Sequence, residues 1–153
     1  MNKVGSQANL AEIMANIEEI IGAHYMIYAE KFQDQKDFWN TLAMEEVNHA
    51  QWIRDLYSKV KAGLVSFNEK RFNKESVKEF QNHLKVALSY IRENKISLKE
   101  ALGDSLKIER MVLERNFFEV FQTDSPELKE KLERIIEDTK KHRMQIEQLL
   151  EKL

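Results

Sequence analysis

The chain has 153 residues, a formal net charge of −2, one proline, four glycines and no cysteine. Such a length suits a single domain, 1–153, with a sizeable core. The missing cysteines exclude a disulfide framework, a cysteine-based zinc site and an attached rubredoxin-type iron centre.

Near-neutral charge without a basic stripe interleaved with aromatics points away from nucleic acid. No run reaches the roughly 18 apolar residues of a membrane span. Met1 to Leu10 lacks the basic region and apolar run of a secretory signal, so a cytoplasmic location is expected. Scarce Pro and Gly among abundant Ala, Glu, Lys, Leu and Arg predict an all-α chain.

Met1 to Gly5 read as a frayed end, and Ser6 or Asn9 could cap a first helix, Asn9 with Glu12 as its capping-box partner. Leu10, Ile13, Met14, Ile17, Ile21, Tyr25 and Tyr28 then keep the 3.6-residue period of a buried face. Glu18 falls on the edge of that face. Tyr25, seven residues on, could bring its hydroxyl to a site built on Glu18, or serve as a core aromatic bonded to a nearby acceptor.

Gln33 to Lys36 form a polar turn, with Asp34 as a plausible cap for a second helix. That helix turns Phe38, Leu42, Val47, Ile53, Leu56 and Tyr57 inward and stops near Gly63. The short connection makes the two helices an antiparallel hairpin. Within it Glu46 and His49 stand three apart, one turn away on one face. A carboxylate and an imidazole so placed can bind one metal ion together, although an ion-paired or solvated helix surface gives the same spacing.

Leu64 to Asn73 loses the period and reads as a loop. Glu75 to Glu93 is a shorter amphipathic helix, placed by its position in the crossover between two hairpins. His83 has no carboxylate at ligand spacing on its N-terminal side and reads as a surface or partly buried histidine. His24 lies nearly two turns from Glu18 and is a weak ligand candidate.

Ser97 with Glu100 forms a capping box that opens a third helix, running on through Phe117, Val120 and Phe121. Glu109 is flanked there by core-type residues; the alternative is an edge glutamate paired with Arg110 or a neighbouring helix. Glu114, beside Arg115, reads as outward. Ser125 followed by Pro126 is a strong start for a fourth helix, which carries Leu132, Ile135, Met144 and Ile146, with Thr139 and His142 on its inner stripe.

The order recurs. Glu18 precedes Glu46 by 28 residues, with His49 three further; Glu109 precedes Thr139 by 30, with His142 three further. Such internal repetition is the mark of two related hairpins. Thr139 stands where the first copy has a glutamate. Asp138, four before His142, is at a spacing that could let it substitute.

Over nearly its full length the chain resembles the rubrerythrin and ferritin-like family. The segment Phe38 to Ala50 resembles the second-helix motif with its EExxHA ending. Glu18 with Tyr25 and Ala29, Ser97 to Glu109, and Glu137 to His142 (similar to EDExxH with the ligand glutamate replaced) follow in order. The resemblance implies a four-helix bundle with a long crossover carrying an additional short helix. It implies metal ligation by Glu18, Glu46, His49, Glu109 and His142, with Thr139 at the place of a bridging glutamate.

Such centres bind two irons and react with oxygen or peroxide as peroxidases or ferroxidases. The chain departs from that pattern at Thr139 and at Leu106 and Val112, where rubrerythrins offer a further helix-3 glutamate. It also lacks the Cys-rich electron-transfer domain, so a separate electron donor is expected.

Carboxylates and imidazoles suit Fe(II), Mn(II) or Zn(II). Three carboxylates against the four charges of two divalent ions favour one tightly held metal, or an asymmetric pair with water or Asp138 filling in. The rival expectation is a non-enzymatic helical bundle with a degenerate metal site, acting as a binding or structural module. Trp39, Trp52, Phe67 and Phe72 exceed the aromatic needs of one core, which favours a homodimer.

Overall fold

The structure is a computed structural model and describes residues 3–63, 65–67, 74–114 and 121–153. Among these, five α-helices pack against one another: α1 (Lys3–Lys31), α2 (Lys36–Lys61), α3 (Lys74–Glu93), α4 (Leu98–Glu114) and α5 (Pro126–Glu151). A short 3-10 turn, Gln33–Gln35, joins α1 to α2. Two-residue strands β1 (Ser66–Phe67) and β2 (Phe121–Gln122) pair antiparallel. The all-α expectation holds, and among the described residues no helix is long and apolar enough to cross a membrane.

Contacts fix the directions of the helices. Arg54 reaches Glu12 and Glu19, Gly22 faces Glu46, and Tyr28 packs on Trp39, so α1 and α2 run antiparallel. Asn16 meets Gln81, His24 meets Leu84, and Lys31 meets Asn94, so α3 runs alongside α1 in the same direction. α5 packs on α4 and on α2.

Helix α1 is enclosed from several sides. From Leu10 onward only Glu12, Glu19, Met26, Glu30 and Lys31 are exposed, which is why its sequence is apolar almost all round. Gly22 sets how closely α2 can approach. A Cβ added there would lie 3.3 Å from the Glu46 Cβ and 3.4 Å from the Ala43 carbonyl oxygen.

Local signals account for several boundaries. The Ser97 hydroxyl accepts the Glu100 amide at 3.0 Å, while the Glu100 carboxylate accepts the Ser97 amide. Ser125 Oγ accepts the Leu128 amide beneath Pro126, and such a cap is worth about 1 kcal/mol. Gly63, with φ +79°, sits in the left-handed region just past α2.

Other expectations need correction. α1 starts at Lys3, so Ser6 and Asn9 lie inside the helix. Asp34 sits in the 3-10 turn and caps nothing; Gln35 precedes α2 without a side-chain cap. Val47 and Met144 point outward, 56 % and 52 % exposed, because each stands one residue, about 100°, off its helix's buried stripe. Trp39 is fully buried against Tyr25 and Tyr28, so it is not spare surface for a partner. Phe121 leaves the helical path for β2. Phe72, Phe117, Val120 and the side chains of Phe67 and Glu114 lie outside the described residues.

Candidate metal centre

Glu18, Glu46, His49, Glu109 and His142 converge in the interior, each 3 % exposed or less. Glu18, expected at an edge, is enclosed because α1 is covered on that side too. Glu18, Glu46 and His49 present ligand atoms within 4.8 Å of one another, and so do Glu46, Glu109 and His142. Glu46 belongs to both groups, with one histidine and one further carboxylate on each side of it. The His49 and His142 rings lie nearly parallel, 5.7 Å apart.

His142 Nδ1 donates to Glu46 Oε1 at 3.0 Å and lies 3.5 Å from Glu109 Oε1. His49 Nδ1 is 3.5 Å from Glu46 Oε2, long for a hydrogen bond. Both of those atoms are buried without a closer partner. Leaving buried polar atoms so poorly matched is costly, and a cation between them would satisfy both. The donor set, carboxylate oxygens and imidazole Nδ1 atoms, therefore fits a divalent ion.

The outer imidazole nitrogens carry a second, crossed relationship. His49 Nε2 donates to Asp138 Oδ2 on α5 at 3.1 Å, and His142 Nε2 donates to Glu45 on α2. Each histidine is thus held from behind by the acidic residue of the opposite helix that precedes the echo position: Glu45 before Glu46, Asp138 before Thr139. Both acids are about a quarter exposed. Asp138 is therefore not a substitute ligand; its carboxylate is turned to the far side of His49. Glu45 escaped the sequence reading, although the acidic residue before each echo position was there to be seen.

Tyr25 donates its hydroxyl to Glu109 Oε1, so both expectations meet in it: it is a buried core aromatic and its hydroxyl reaches the cluster. Thr139 is buried, but its Oγ1 donates to the Ile135 carbonyl at 2.9 Å within its own helix. Glu137 is exposed beside Lys140, and Arg110 pairs with Glu147 rather than with Glu109. His24 is buried, with Nε2 donating to the Leu84 carbonyl at 3.0 Å. It borders a cavity of about 260 Å³ between α1, α3 and α4, away from the ligand groups. His83 is exposed.

Electrostatics follow the burial. Burial pushes the Glu18 carboxyl well up, reinforced by the charges of Glu46 and Glu109. Burial and Glu46 raise Glu109 as well. Burial would also raise Glu46, but its interactions with Glu18, His142 and His49 overcome that and hold it low. Burial opposes the charged form of His142, yet Glu109 and Glu46 lift it to about 11. His49 is raised against its own burial, chiefly by Glu46. Without metal the cluster is an internally paired set of acids and imidazolium groups.

No family model, curated protein or solved structure matches the chain.

Proposed function

We propose that the chain is a ferritin-like, rubrerythrin-type metal protein, holding one or two iron ions at the paired Glu/His site and acting on peroxide or oxygen as an oxidoreductase. The observation that carries this reading is the sharing of Glu46 between two buried groups, each with its own histidine and a further carboxylate. Glu18, Glu46 and His49 would hold one ion and Glu46, Glu109 and His142 the other; manganese or zinc would suit the same donors.

Bound iron would supply the electrons for reducing an O–O bond. The chain's own residues hold and shield the site. Glu45 and Asp138 fix which imidazole nitrogen faces inward, Tyr25 orients Glu109, and the packed helices exclude bulk water. The four-helix bundle with crossover belongs to this proposal, supported by the antiparallel α1–α2 pair, the packing of α5 on α4, and the place of α3 in the chain between the two pairs.

A separate electron donor and a homodimer complete the proposal. Exposed Met44 and Val47 on α2 supply apolar surface for self-association, and a monomer mass by light scattering at micromolar concentration would count against the dimer.

One observation favours the rival reading of a non-enzymatic module: His142 already pairs with Glu45, Glu46 and Glu109, so a metal-free site can be internally neutralised. Anaerobic Fe(II) addition followed by metal analysis and a visible spectrum separates the two. One or two irons per chain, with an absorption band developing in air and peroxide consumed, are expected of the oxidoreductase. A protein that retains no iron after reconstitution is the module.

A further inference from the structure

We infer that the cavity between α1, α3 and α4 is a binding site for a small neutral molecule with an aromatic body and one hydroxyl group, of phenol size. This stands apart from the metal reading, because it uses none of the residues of the Glu/His cluster.

Helix packing leaves the room. α3 packs mainly on α1 and α4 mainly on α5, with little contact between α3 and α4 themselves. The cavity lies in that seam and measures about 260 Å³. Tyr28 from α1, Leu84, Ala87 and Ile91 from α3, and Ile108 and Met111 from α4 give it apolar walls. An aromatic ring packs well against a tyrosine ring and a methionine thioether. An apolar space of roughly 150 Å³ is already enough for benzene. The charged residues at the cavity, Asp104 and Lys107, are exposed and of opposite sign, so they favour no net charge inside.

One polar group at the wall is unmatched. His24 is 1 % exposed, and its Nδ1 has no hydrogen-bond partner among the described residues. Its Nε2 donates to the Leu84 carbonyl at 3.0 Å, which places the ring proton on Nε2. Burial lowers the His24 pKa and keeps the ring neutral near neutral pH. Nδ1 is therefore an acceptor, and leaving it unpaired is costly. A single water would pair with it but, at about 30 Å³, would leave most of the apolar cavity to further, poorly held waters. A hydroxyl on an apolar body supplies the donor and displaces those waters.

The test is calorimetric titration of chelator-treated protein with phenol and with toluene, which has nearly the same shape but no donor. Wild type is expected to bind both saturably. Phenol should move the nitrogen NMR resonance of His24 Nδ1 in the direction of a hydrogen-bonded acceptor, and toluene should move it the opposite way or not at all. His24→Leu removes the acceptor and should cut the preference for phenol over toluene by at least about 5-fold, since the hydroxyl is then buried unpaired. Ala87→Phe fills the cavity from α3 and should abolish binding of both.

Absence of saturable phenol binding to wild type would overturn the inference. So would an unchanged preference in His24→Leu, or binding that persists in Ala87→Phe, which would put the ligand elsewhere. A His24 Nδ1 resonance that phenol leaves unmoved would overturn it too, and this reading on wild type decides the matter if neither variant folds.

Discussion

His49 on α2 donates its Nε2 proton to Asp138 on α5 at 3.1 Å, across 89 residues of sequence. The bond orients the ring so that Nδ1 faces Glu46 and would keep the proton on Nε2 when Nδ1 binds a metal, and Glu45 does the same for His142. Supporting carboxylates of this kind are worth roughly 10- to 100-fold in metal affinity. Asp138→Asn and Glu45→Gln should each weaken Mn(II) or Zn(II) binding by about that much, with helicity by circular dichroism unchanged. Wild-type affinity in both variants would show that the outer bonds do not orient the rings.

Tyr25→Phe removes one hydroxyl from a fully buried ring and deprives Glu109 of a donor. A hydrogen bond to a buried carboxyl group left unmade costs about 1–3 kcal/mol. The metal-free protein should lose that much by urea unfolding. Because the bond also helps hold the Glu109 carboxyl down against burial, metal loading of the variant should begin at a higher pH than in wild type. An unchanged urea midpoint would count against the bond.

His24 gives a pH-dependent stability of defined sign. Burial lowers its pKa; the Leu84 carbonyl and Asp104 on α4 pull it up, while His83 and Arg92 on α3 push it down. A histidine whose folded pKa lies below its unfolded value of about 6.5 stays neutral in the fold while the unfolded chain takes up a proton. Its contribution is complete above that unfolded value and is lost as pH falls from there toward the folded pKa. The difference in urea midpoint between wild type and His24→Leu should therefore move in favour of the variant between pH 7.5 and pH 5. A difference that stays constant would mean that His24 does not titrate differently in the two states.

Gly22 is where α1 and α2 meet beside Glu46. Gly22→Val introduces atoms at a point where even a Cβ is tight against the Glu46 Cβ and the Ala43 carbonyl oxygen. Overpacking of this kind costs about 1–3 kcal/mol. Because it displaces the residue common to both ligand groups, metal affinity should fall together with the thermal midpoint. Loss of stability with metal binding intact would mean that the strain is absorbed elsewhere.

Much of this was legible in the chain. Ser97 with Glu100, and Ser125 with Pro126, mark their helix starts because capping is a local interaction. The five acidic and histidine residues that converge in the interior stand out in the sequence because helical spacing and the repeated order are local patterns too.

Depth was harder to read. Glu18 falls at the edge of the apolar face on a helical projection, and only the covering of α1 on several sides shows it to be buried. Trp39 is misplaced for the same reason, since apolar character does not say which neighbour arrives. The β1–β2 pair could not be foreseen, because two residues per strand carry no period. Asp138 was noted for its spacing to the histidine on its own helix, whereas its partner is the histidine on another.

The polar core also bears on the order in which the chain assembles. Tyr25–Glu109, Glu46–His142, Glu45–His142 and His49–Asp138 join residues 84 to 97 apart, whereas the α1–α2 pair closes through a three-residue turn. Contacts so distant in sequence carry the largest loop-closure cost, so they form late. An ion held across that seam stabilises contacts not yet made at the folding barrier. Mn(II) should then slow unfolding while leaving the refolding rate nearly unchanged, and stopped-flow traces in Mn(II) and in chelator would read this directly. The metal would act as a latch that closes once the helix pairs have met, and an acceleration of refolding by Mn(II) would place its ligands together earlier than this.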